Sequence, residues 1–82
     1  MKVGQVVRSM AGHDKNRFYL VVELRGEEKA LIADGKRRKL EKPKLKNTKH
    51  LGATTTILNV EEMRTNKSLK AALRIFNGAE NQ

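Results

Sequence analysis

The sequence predicts a small, mainly β domain: a half-open barrel of about five strands with a C-terminal helix. Three observations lead there. Short runs rich in valine, leucine and isoleucine recur from Val3 onward, each bounded by turn-forming residues. These runs either alternate in polarity or are apolar on both sides, as strands sharing one small core must be. Helical spacing stands out in one place, where Leu69, Ala72, Leu73 and Phe76 fall at i, i+3, i+4 and i+7. A chain of 82 residues makes one domain, and at this size folding hides about 60 to 65 % of the extended-chain surface. A sheet that small buries its apolar side by curling on itself.

Taken in order, Val3 to Ser9 reads as a first strand and Ala11 to Asn16 as the loop after it. Arg17 to Leu24 is the central strand, with Phe18, Leu20, Val22 and Leu24 on one face and Tyr19, Val21 and Glu23 on the other. Arg25 to Glu28 turns the chain into a third strand, Lys29 to Ala33. Asp34-Gly35 then supplies the positive φ angles of a tight hairpin, so a fourth strand is expected to enter the residues that follow. Gly52 to Leu58 fits a strand and a linker equally. Thr65 or Asn66 caps the helix, about 66 to 77, Asn77-Gly78 ends it, and Ala79 to Gln82 reads as a loose tail. The barrel is expected over residues 1–51, with 52–82 in the same domain. A helix of about three turns does not persist alone, so its apolar stripe must dock, either as a lid over an open barrel end or in a partner's groove.

The charge is concentrated. Between Lys36 and His50 stand eight basic residues, Lys36, Arg37, Arg38, Lys39, Lys42, Lys44, Lys46 and Lys49, against one acid, Glu41. The whole chain is +9, so most of the surplus lies in this stretch. Edge-strand protection by lysine and Pro43 accounts for one or two of these residues. The rest point to a polyanion, because neutralised phosphates release condensed counterions. Arg37 and Arg38 suit phosphate oxygens by their forked guanidinium groups, while the lysines act as point charges. His50 can donate to phosphate or stack on a base, or simply lie on a strand. Lys67, Lys70 and Arg74 line the solvent side of the helix and either extend the basic surface or are merely solvated.

Other chemistries find little support. With no cysteine there is no disulfide, thiolate metal site or cysteine nucleophile. His13 and His50 lack companions at metal-ligand spacing, Asp34-Gly35-Lys36 lacks the flanking pattern of a phosphate loop, and no nucleophile and base pair has a local signature. No enzyme activity, cofactor or metal is expected. No apolar run approaches a membrane span and no signal peptide is visible, so a cytoplasmic protein, monomeric when free, is expected. Aromatics are scarce, which disfavours the stacking mode of single-strand binders. Phe18 and Phe76 belong to apolar periodicities and read as core, leaving Tyr19 as a candidate for stacking on a base.

Val6-Val7, the loop Gly12 to Arg17 and the strand Leu20-Val21-Val22-Glu23-Leu24 together resemble a KOW motif, found in ribosomal proteins and in transcription elongation factors of the NusG and Spt5 type. Ala30 to Gly35, followed by Arg37-Arg38 and a lysine-rich segment, resembles the ribosomal protein eL14 family and its small bacterial relatives. The resemblance spans roughly residues 3–51 and extends to the capped helix. Asn16 stands where the family loop has glycine, and asparagine tolerates the left-handed region better than most residues. The resemblance implies an SH3-like barrel that binds RNA in or on the ribosome, and it adds the loop donors His13, Lys15, Asn16 and Arg17 to the expected RNA-binding set. The rival expectation is a protein-interaction module that docks on a ribosomal protein or on RNA polymerase.

Overall fold

The computed structural model describes residues 1–78, so the tail expected over Ala79 to Gln82 lies outside the described residues. Five antiparallel strands, β1 (Gln5–Ser9), β2 (Phe18–Arg25), β3 (Lys29–Ala33), β4 (Lys44–Asn47) and β5 (Leu51–Ile57), form one sheet in the order β4-β3-β2-β1-β5. The sheet is open between β4 and β5, as in a small SH3-like barrel, and a single 3-10 turn at Thr48–His50 joins those two strands. Two short helices follow in place of the single helix expected over about 66 to 77, α1 (Asn66–Ala72) and α2 (Arg74–Asn77); Leu73, at ψ -1°, ends the first by donating to Leu69 O and starts the second by accepting from Phe76 N and Asn77 N. Leu51 to Ile57 is thus a strand. No helix among the described residues is long and apolar enough to cross a membrane.

Both faces of the sheet are buried, because the strands are short and valine-rich on both sides. On one face Val7, Tyr19, Val21, Ala30, Ile32 and Leu51 pack together. On the other, Val6, Leu20 and Ala33 meet Leu69 and Leu73, with Phe18, Val22, Leu40 and Phe76 around them. The helix stripe therefore covers a sheet face rather than a barrel end. Phe18 and Phe76 are in ring contact at 5.3 Å between centroids, a tilted packing typical of aromatic pairs. The Asn77 side chain closes the arrangement: its Oδ1 accepts from Phe18 N at 2.8 Å and its Nδ2 donates to Phe18 O at 3.2 Å.

Three local expectations need correction. In β2 the register shifts between Val21, opposite Ile32, and Glu23, opposite Leu31. This bulge at Val22 restarts the alternation, so Leu24 packs against the Val7 and Tyr19 cluster instead of sharing a face with Leu20. Tyr19 is wholly buried and unavailable for stacking on a base. Finally, β3 and β4 are joined by residues 34–43 and not by a tight turn. The Asp34 carboxylate accepts from the N–H groups of Lys36 and Arg38 at 3.0 and 2.8 Å and curls the chain, and Pro43, which has no N–H to donate, stands before β4.

Candidate nucleic-acid interface

The β1–β2 loop (residues 10–17) has two residues at positive φ, Gly12 at 87° and Asn16 at 74°, the second in the position expected to need it. The turn is set by Lys15 N donating to Gly12 O, Arg17 N to Asp14 O and Asn16 N to Ser9 O. At its centre Asp14 is nearly buried and accepts from the Ser9 hydroxyl at 2.9 Å and from Lys46 Nζ at 3.0 Å. The same ammonium donates to Ser9 Oγ at 2.9 Å and to Ala11 O at 2.8 Å, so all three of its protons can be engaged. Lys44 Nζ stands 3.5 Å from the other carboxylate oxygen.

This geometry sets the ionisation of two groups. Burial alone would raise the pKa of Asp14, but hydrogen bonds from Lys46 and Ser9, with the charges of Lys46 and Lys44, hold it well below the usual carboxylate range. The Tyr19 phenol is pushed up to about 12, first by burial and then by the negative charges of Asp14 and Asp34. Among the described residues that hydroxyl has no hydrogen-bond partner within bonding geometry.

The second loop, residues 34–43, is fastened to the first: Arg17 Nη2 lies 3.2 Å from Asp34 Oδ2, both side chains being largely buried. Asp34 N and Gly35 N both donate to Arg38 O, folding the loop's first half back on itself. Its other side rests on α1. Thr65 and Ser68 form a reciprocal capping box, which leaves the Asn66 side chain to accept from Leu40 N at 2.8 Å and donate to Glu41 Oε1 at 2.6 Å. The hydrogen bond from Asn66 also lowers the pKa of Glu41. Gly35, at φ 81°, is pressed so closely on the helix that a Cβ there would clash with Asn66 O.

The expected site residues thus fall into separate groups. Lys36, Arg37, Arg38, Lys39 and Lys42 are exposed on the 34–43 loop. His13, Lys15 and Asn16 are exposed on the neighbouring loop, and the Arg17–Asp34 pair brings the two loops together. Arg17, Lys44 and Lys46 instead turn inward, where they hold Asp34 and Asp14 and shape the loops. Lys49 is exposed on the 3-10 turn beside Glu28, lining a depression of about 260 Å³ with Asn47 and Thr48. His50 is half-buried and accepts from Met10 N through its carbonyl oxygen. Arg8, exposed on β1, is a further cation that the sequence did not single out, since it stands outside the basic cluster.

Among the described residues no group of histidine and acidic side chains could hold a metal ion. Compared with known proteins, the chain matches no family model and no curated relative. The chemistry of the two loops is that of a polycation on a firm base: exposed ammonium and guanidinium groups, with no exposed phenylalanine or tyrosine ring among the described residues to stack on a base.

Proposed function

We propose that this protein binds structured RNA through its phosphates, without enzymatic activity of its own, and that ribosomal RNA is the first candidate. The observation that carries the reading is the run of exposed cations from Lys36 to Lys42, held by Asp34 on one side and Asn66 on the other. His13, Lys15 and Asn16 on the adjoining loop add donors. Direct contacts are assigned to these exposed side chains, while Arg17, Lys44 and Lys46 keep the loops in shape. The likeness to KOW-type ribosomal proteins supports RNA over DNA, a choice that charge alone does not make. Ribosome association and a cytoplasmic location follow from the same reading.

The test is an affinity titration against a labelled RNA hairpin over a range of salt. If about six phosphates are neutralised, log K falls against log salt with a slope of roughly −5. Arg37→Ala with Arg38→Ala is expected to weaken binding without unfolding the domain. Binding insensitive to salt, or equal affinity for duplex DNA, would reject the proposal.

One observation favours a second reading, a protein-docking module on a ribosomal protein or RNA polymerase. Strand β5 is an open edge without a charged residue, and Ile57 at its end is half exposed; such edges accept an added strand. Ribosome-bound material decides between the two. Release by high salt supports phosphate binding, and retention on protein after RNA digestion supports docking.

A further inference from the structure

The 34–43 loop does not stand by itself: Gly35 is wedged against Asn66 O and lies beside Lys70 N, and Asn66 binds Leu40 N and Glu41. The chain that carries Lys36 to Lys39 therefore runs along the first turn of α1. On that helix Lys67 and Lys70 stand at i and i+3 on one face, Arg74 opens α2 just beyond it, and all three are exposed. The opposite stripe, Leu69 and Leu73, is buried in the core.

A solvated helix face ordinarily mixes charges of both signs, because acid and base three or four residues apart support the helix. Here no residue from Thr65 to Gly78 is acidic, and Lys67, Lys70 and Arg74 have no ion-pair partner among the described residues. Lys67 with Lys70 is a like-charge pair at an interacting spacing within α1, a mild cost to a short helix. Glu41, the one exposed acid of the adjoining loop, is occupied by Asn66. A stripe of one sign, uncompensated and continuous with a second cationic element, is explained if an anion covers both.

We infer that the loop and the helix form one phosphate-binding surface, in which Lys67, Lys70 and Arg74 contact the same RNA that the Lys36 to Lys39 segment holds. This rests on the functional reading above and extends it from a loop to a two-element surface.

The experiment compares salt slopes by fluorescence anisotropy with a labelled RNA hairpin, using the unaltered protein, K67Q/K70Q/R74Q and R37A/R38A. Glutamine matches lysine and arginine in helix propensity, and circular dichroism reports whether the fold is kept. The helix variant is expected to lose about tenfold or more in affinity and to flatten the slope by roughly 2 to 3, while K67R/K70R keeps the full slope. A helix variant with unaltered slope and affinity, alongside a weakened R37A/R38A, would overturn the inference and leave the functional reading standing. An unaltered protein that shows no salt-dependent binding would bring down both.

Discussion

Lys39 and Lys46 carry the same ammonium group and meet opposite fates. Lys39 is exposed on a loop, whereas Lys46 is folded in to satisfy Asp14, Ser9 and the carbonyl of Ala11. Removing Asp14 would strand a nearly buried cation, so Asp14→Asn is expected to lower stability at neutral pH by about 3 kcal/mol, read from urea unfolding. The sign of the pH effect follows from the carboxyl's depressed pKa in the folded state. The unfolded chain, with an ordinary value near 3.8, takes up the proton first as acid is added. The contribution is therefore full above about pH 5 and is lost as pH falls through 4 and below, and Asp14→Asn should flatten that acid limb of the stability profile. The left-handed backbone of Asn16 was legible through the resemblance, because glycine stands at its place in the family loop. The inward turn of Lys46 was not, since its partner lies 32 residues away and the charge run around it looks uniform.

Elements were legible where their signals were repeated and obscure where one residue changed the pattern. The capped helix and the first three strands are written in periodicity and turn chemistry. Leu51 to Ile57 carried too many threonines and too little contrast to separate strand from linker, and its pairing with β1 settles it. Asn77 was legible as a helix stop but not as what it also is, a side chain that pairs with the backbone of Phe18 and so joins the helix end to the start of β2. Asn77→Ala would leave the Phe18 N–H without its partner. A loss of about 1 to 3 kcal/mol is expected, measured by the urea midpoint, with the far-ultraviolet spectrum little altered. An unchanged midpoint would mean that the aromatic contact between Phe18 and Phe76 holds the helix end unaided.

At the scale of the molecule, a net charge of +9 on a small body repels itself. Added salt screens that repulsion and competes with phosphate at the same time. The free protein is thus expected to melt at a higher temperature as salt is raised, while its affinity for RNA falls, and calorimetry beside a binding titration would show the two trends diverging. A melting temperature that drops with salt would mean that the internal pairs of Asp14 and Asp34 outweigh the surface repulsion. The architecture, five strands curled with a helix laid against them, was legible because both faces of so small a sheet must be apolar. The face the helix chose was not, for it depends on which of two adjacent valines, Val6 or Val7, looks outward. The extra residue at Val22 has a final consequence. A chain lacking it would keep every later side chain on its present side, since the odd member merely repeats the orientation of its neighbour. What would disappear is the sharp coil that lets a ribbon this narrow wrap into a hoop. Curvature here draws on this supernumerary amino acid and on the register break between Gln5 and Val7 where β1 meets β5, and a homologue shortened at Val22 should hold its pattern while lying flatter.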